Sequence, residues 1–181
     1  MKTESTVKFV LRLALTLLAI TAVVAVALAG VNMVTAPAIE ELNAQKTQEA
    51  IELVLPGGGE AVDFPETALV SKVYASDAGY AVEVTPGGFD NTITMMVGVD
   101  KAGTVLGISI IKHTETAGLG AVAAAGTPAG ESFRGQFVGA SGSVAVTKDG
   151  GTMDAITGAT ITSRAICVGV NAALDCVANM G

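Results

Sequence analysis

Residues 154–163 read DAITGATITS and gather Asp154, Thr157, Thr160, Thr162 and Ser163 around Gly158 and Ala159. Hydroxyl chemistry is the obvious possibility, but no histidine, lysine or cysteine adjoins the segment. A threonine without a base is a poor nucleophile. It can still be the acceptor onto which a separate enzyme places a group. Ser163 suits the N-cap of the helical stretch that follows, which leaves Thr160 just outside that helix. Free backbone N–H groups and the positive end of the helix dipole then favour an anion at Thr160. Arg164 is placed to assist a phosphate held there. An ordinary capping segment is the plainer alternative, and the residues alone do not decide between them.

A second candidate is HTETAGLG at residues 113–120, containing Glu115, Thr116, Gly118 and Leu119. The overlapping GLGAVA fits the G-x-G-x-x-A dinucleotide fingerprint. Its context does not: the glycines do not directly follow a strand, AGTPAG interrupts any long helix, and no alternating parallel β-α pattern surrounds them. A glycine-rich turn bringing backbone close to a ligand is the better reading. His113 is the sole histidine, so a histidine-based metal site is not expected. No G-x-S-x-G elbow marks a hydrolase. Two cysteines cannot supply the four ligands an iron–sulfur cluster usually takes. Nine residues apart on a helix, Cys167 and Cys176 point to opposite faces and do not pair.

These residues need a scaffold, and hydrophobic patterning predicts an α+β one. Residues 13–34 contain no charged side chain, about the length of a bilayer-spanning helix at roughly 20 residues. Lys2, Lys8 and Arg12 precede this run, whereas Glu40 and Glu41 follow it, so residues 1–12 are expected in the cytoplasm and the remainder outside. A signal peptide is the competing reading, with ALA at residues 27–29 as its cleavage site. Residues 35–60 read as a helical connector stopped by PGGGE. ALVSKVYA, YAVEVT, TITMMVGV and TVLGISII then alternate, with SDAG and DKAG as hairpin turns. That predicts an antiparallel meander with one face in water. Residues 112–142 read as loop and SVAVT as a last strand. SRAICVGVNAALDCVAN is a helix, apolar nearly all round, packed on the sheet. The expectation is a single N-terminal transmembrane helix followed by one domain, residues 61–181.

From Thr35 onward seven Lys/Arg face sixteen Asp/Glu, a net charge of minus nine. Such a surface repels nucleic acid and anionic headgroups.

DAITGAT resembles the covalent-flavin signature D-x-x-[ST]-G-A-[ST] of the FMN-binding domains in the Rnf and Nqr redox pumps. Asp154, Thr157, Gly158 and Ala159 match, and Thr160 stands at the residue that bears the flavin phosphate. HTETAGLG resembles the HxETPGLG segment of the same domains, with Ala117 where proline is usual. The resemblance covers nearly the whole chain, and the short length is closer to the Rnf G subunit than to the Nqr C subunit. It implies FMN held as a phosphoester on Thr160, with Thr162, Ser163, Glu115, Thr116, Gly118 and Leu119 around it, and no catalytic residue. It implies an electron-transfer role in a complex between ferredoxin and NAD coupled to ion movement. The implied partners are other Rnf subunits carrying flavin or iron–sulfur groups, membrane lipid, and a flavin transferase that uses FAD and a divalent metal. A stand-alone membrane-anchored covalent flavoprotein and an Nqr C subunit are the alternatives.

Overall fold

Residues 60–112 fold as five antiparallel strands in simple chain order. The computed structural model describes residues 3–65 and 67–180. The chain divides into two compact units, Met1–Ala44 and Gln45–Gly181.

The first unit is helical, formed by the greater part of α1, which runs Thr3–Val54. Its most apolar stretch has a mean hydropathy of 2.5 and none of it is buried, so it is long and apolar enough to cross a bilayer. Thr16, Thr21 and Thr35 donate their hydroxyls to the carbonyls of Arg12, Leu17 and Val31 at 2.8, 3.0 and 3.0 Å. Internal bonding of this kind removes the cost of a polar group in an apolar surrounding. The helix continues through Pro37, which lacks a backbone donor.

In the second unit, β1 (Glu60–Val62), β2 (Val70–Ala75), β3 (Gly79–Val84), β4 (Thr94–Asp100) and β5 (Val105–Lys112) form one sheet. The turn between β4 and β5 is set by Asp100, whose Oδ1 accepts from the amides of Ala102 and Thr104 at 2.9 and 2.7 Å. Val73, Val82, Val97 and Ile108 stand in register across four strands. Helix α3 (Thr160–Ala178) packs over this row with Ile166, Val170, Ala173 and Val177 buried. It too is long and apolar enough for a span, but most of it is buried core.

The opposite face is not wet, contrary to expectation. Ala50, Ile51, Val54 and Leu55, at and just beyond the end of α1, pack on Ala81 and Met96. Burying side chains such as Ile51 and Leu55 contributes about 1.5–3 kcal/mol each. Gly98 permits the approach: a Cβ there would sit 2.1 Å from the Val54 carbonyl oxygen. Any side chain at that position would lift the helix from the sheet.

Two local expectations are corrected. SVAVT is not a strand, because the amide and carbonyl of Val144 are taken by the Asn171 side chain at 2.8 and 2.9 Å. Val146 makes only an isolated bridge to Met153. The region read as loop contains α2 (Pro128–Gly135), started by Pro128 and by Thr127, whose Oγ1 accepts from the Gly130 amide at 3.3 Å. Its glycines concealed it, yet a Cβ on Gly130 would meet the Ala125 carbonyl at 2.3 Å. Strand β1 is too short to show alternation.

Cys167 and Cys176 are both buried and free. Burial, and next the nearby Asp149 carboxylate, push the Cys167 thiol up to about 11. A thiol pKa raised by folding favours the native state fully below the unfolded value, and that contribution disappears as pH climbs through the folded one. Iodoacetamide at pH 8 should therefore leave Cys167 unmodified in the native protein and alkylate it in urea. Native-state labelling at the urea rate would contradict this burial.

Candidate functional site

The loop after β5, the β3–β4 connection, a 3₁₀ turn at Thr147–Asp149 and the first turn of α3 meet around a cavity of about 310 Å³. That volume lies at the small end of ligand pockets, roughly 300–1,000 Å³. Glu115 organises it. Its side chain is 8% exposed; Oε1 accepts from the Phe89 amide at 2.8 Å and Oε2 from the Thr162 hydroxyl at 2.5 Å. One carboxylate thus joins the β3–β4 connection to α3. Both contacts need bare backbone beside them: a Cβ on Gly88 would lie 2.2 Å from Oε1, and one on Gly120 would lie 2.5 Å from Oε2.

A second junction lies beside the first. Gly158 has φ +77°, and a Cβ there would come 3.0 Å from a methyl of Leu119. Gly118 turns the preceding loop at φ +75°. The Thr116 carbonyl accepts from the amides of Leu119 and Ala121 at 3.1 and 3.2 Å, which fixes the loop and occupies the Leu119 amide. The segments at 113–120 and 154–163, distant in sequence, are one site in space.

Seven of the predicted residues line the cavity: Glu115, Thr116, Leu119, Gly158, Ala159, Thr160 and Thr162. Gly118, Asp154, Thr157 and Ser163 do not. Ser163 is not the N-cap; α3 begins at Thr160, with Ala159 at the cap position and no side-chain cap bond. The Ser163 hydroxyl is buried, donating to the Ala159 carbonyl and accepting from the Ile156 amide, both at 3.0 Å. It staples the turn that precedes the helix. Thr160 is therefore the first helical residue rather than one outside it.

Arg164 does not point at Thr160. Its Nε and Nη2 both donate to Asp149, at 2.6 Å each. That bidentate pairing holds the Asp149 carboxyl below its usual range and raises Arg164 in turn. The cation beside Thr160 is Lys148, whose Nζ lies 3.4 Å from the threonine Oγ1. Sequence reasoning missed Lys148, twelve residues from Thr160, and also Phe89, 66% exposed at the cavity wall. Phe89 had one available signal, an aromatic residue in the turn-forming PGGFDN. Lys148 had none.

Residues 88–175 match the FMN-binding domain family. The chain is 36% identical to the G subunit of the Na⁺-translocating ferredoxin:NAD⁺ oxidoreductase complex of Acetobacterium woodii, covering 96% of this chain and 94% of that one. It is 33% identical to the G subunit of the ion-translocating oxidoreductase complex of Methanosarcina acetivorans, over 94% and 95% of the two chains. The G subunit of the proton-translocating ferredoxin:NAD⁺ oxidoreductase complex of Clostridium ljungdahlii is 31% identical over 82% and 80%. This chain belongs to the G-subunit family of ion-translocating oxidoreductase complexes.

The cavity suits the cofactor of an FMN-binding domain. A flavin presents an apolar plane, a polar ribityl chain and a phosphate. Phe89, Leu119 and Ile161 supply apolar wall, Thr116 and Thr160 supply hydroxyls, and Lys148 supplies positive charge. Asp154 stands apart from all of these, with its side chain exposed. Its backbone is clamped by Gln136, which accepts from the Asp154 amide at 2.6 Å and donates to its carbonyl at 3.3 Å. Asp154→Ala leaves both bonds in place, so the melting temperature should stay within about 2 °C of the parent, as for other exposed positions. On the covalent-flavin reading proposed below, flavin incorporation should nonetheless fall, because an exposed acid in the turn before Thr160 would be open to a modifying enzyme. Normal loading of that variant, quantified by flavin absorbance, would return Asp154 to an ordinary turn residue.

Proposed function

We propose that this chain is an electron-carrying subunit of an Rnf-type, ion-translocating ferredoxin:NAD oxidoreductase, with FMN joined through its phosphate to Thr160. The observation that carries the reading is the junction of the two motifs: Glu115 bonded to Thr162, and Leu119 against Gly158, around a cavity that Thr160 lines. Bound FMN supplies reversible electron uptake. The protein's residues supply position. Thr160 holds the phosphate end, Leu119, Phe89 and Ile161 offer the ring an apolar surface, and Glu115 keeps the two walls together. No side chain here needs to move a proton. Electrons pass to and from flavin or iron–sulfur groups of other subunits, and a flavin transferase that uses FAD and a divalent metal attaches the cofactor at the turn led by Asp154.

Residues 13–34 serve as the membrane span, 1–12 lie in the cytoplasm, 35–60 connect, and 61–181 carry the flavin outside. The charge distribution across the span supports this orientation. The decisive experiment is a denaturing gel of the chain produced together with a flavin transferase. The band should fluoresce yellow, and its intact mass should include one FMN. A dark band of unmodified mass, with transferase active on another acceptor, would reject the covalent reading. For orientation, protease added to intact spheroplasts should degrade residues beyond 35 and spare the first dozen. A fully protected domain would reverse the assignment.

A further inference from the structure

Lys148 is the only cation among the described residues that line the cavity. Its position is built rather than incidental. The turn carrying it is pinned by the Thr147 amide to the Met153 carbonyl at 2.9 Å and by the Gly151 amide to the Val146 carbonyl at 3.1 Å. A Cβ on Gly151 would come within 1.9 Å of the Ala145 carbonyl oxygen, so the turn is tightly packed. The next residue, Asp149, grips Arg164 with two short bonds and ties this turn to α3 one helical turn beyond Thr160. Arg164 is thereby neutralised locally, while among the described residues the Lys148 ammonium makes no side-chain hydrogen bond besides its long one to Thr160.

We propose that Lys148 is the anion-recognition residue of this site, receiving the phosphoryl group that becomes joined to Thr160. The inference rests on the covalent-flavin reading and adds to it the residue that selects and holds the phosphate. The charges match: a phosphodiester linking a flavin to threonine is a monoanion, and Lys148 contributes one positive charge. The need is also local. From Thr35 onward the chain carries a net charge of minus nine, which repels any phosphorylated donor in the absence of a cation at the acceptor. In attachment from a flavin dinucleotide, the Thr160 oxygen forms a bond to the phosphorus on the riboflavin side. The bond from that phosphorus to the adenylate oxygen breaks, AMP leaves with that electron pair, and the hydroxyl proton passes to the transferase. No electrons are exchanged. Lys148 meets the phosphoryl oxygens on approach and remains beside the diester afterwards.

The test uses the full-length chain in detergent with purified flavin transferase, its divalent metal and FAD. Attachment is followed by in-gel fluorescence and intact mass. Lys148→Ala and Lys148→Gln should slow the initial rate about tenfold, chiefly through a higher KM for the acceptor chain, and should weaken the inhibition of attachment by added salt. Lys148→Arg should recover most of the rate. The melting temperature of the flavin-free variants should match the parent, because the side chain is exposed. Once loaded, the parent should gain more thermal stability from its flavin than Lys148→Ala does. Parent-like rate and salt dependence in Lys148→Ala, with the parent loading normally, would overturn the role of Lys148 alone. A parent chain that takes up no flavin would overturn the covalent reading and this inference with it.

Discussion

Thr160→Ala should give a folded protein with no covalent flavin. The hydroxyl is the sole atom through which a phosphoester at this position can form, so the expected loss is complete rather than partial. The fold should tolerate the change. Thr160 is the first residue of α3, the cap position is Ala159, and no side-chain cap bond is broken. The half-exposed threonine gives up only its long contact from Lys148. Alanine is also the better helix former, so the net stability change should lie within about 0.5 kcal/mol. Thr160→Ser should retain flavin, since it keeps the oxygen. Mass spectrometry of the flavin-bearing peptide decides the matter. An adduct that persists in Thr160→Ala would move the attachment to another hydroxyl. Thr157 is then the stronger candidate because it is exposed, whereas Thr162 is buried and committed to Glu115.

Glu115→Ala should be the most destabilising single change at the site. It removes the acceptor for the Phe89 amide and the Thr162 hydroxyl together. Hydrogen bonds to a carboxylate contribute more than neutral ones, and a buried donor left unpaired costs about 1–3 kcal/mol. The summed loss should be about 3 kcal/mol, lowering the melting temperature by roughly 10 °C for a domain of this size. Glu115→Gln should fall between the two, since an amide oxygen can still accept one of the bonds. Gly120→Ala should resemble Glu115→Ala, because its methyl would occupy the space between the carboxylate and Thr162. Thermal unfolding of the three variants checks the ordering. A Glu115→Ala transition within about 2 °C of the parent would mean that this carboxylate does not brace the cavity.

Several expectations failed for one shared reason. Ser163 has the composition of a cap, but its neighbours place it three residues inside the helix, where its hydroxyl closes the preceding turn instead. Arg164 has the charge to meet a phosphate, but Asp149 is fifteen residues away in sequence and within 2.6 Å in space. SVAVT has strand composition, but Asn171 takes the backbone groups of Val144, which a neighbouring strand would otherwise need. In each case a residue's type was legible while its partner was not.

Composition and periodicity were enough for the elements whose signal is local. The uncharged run at 13–34 is a contrast of composition, the four longer strands are a period of two with turn residues between, and α3 is an apolar helix long enough to need burial. The two glycine-and-hydroxyl segments were also visible, because their residue types are unusual at any position. Which groups meet is a property of the folded chain. Glu115 reaches Phe89 across 26 residues and Thr162 across 47, and Lys148 rather than Arg164 faces Thr160. The end of α1 covers the sheet face that alternation had left open to water. Local periodicity reports how each segment divides between water and core. It carries no information about which distant segment supplies the other side of a hydrogen bond, and the chemistry of this site lies in those bonds.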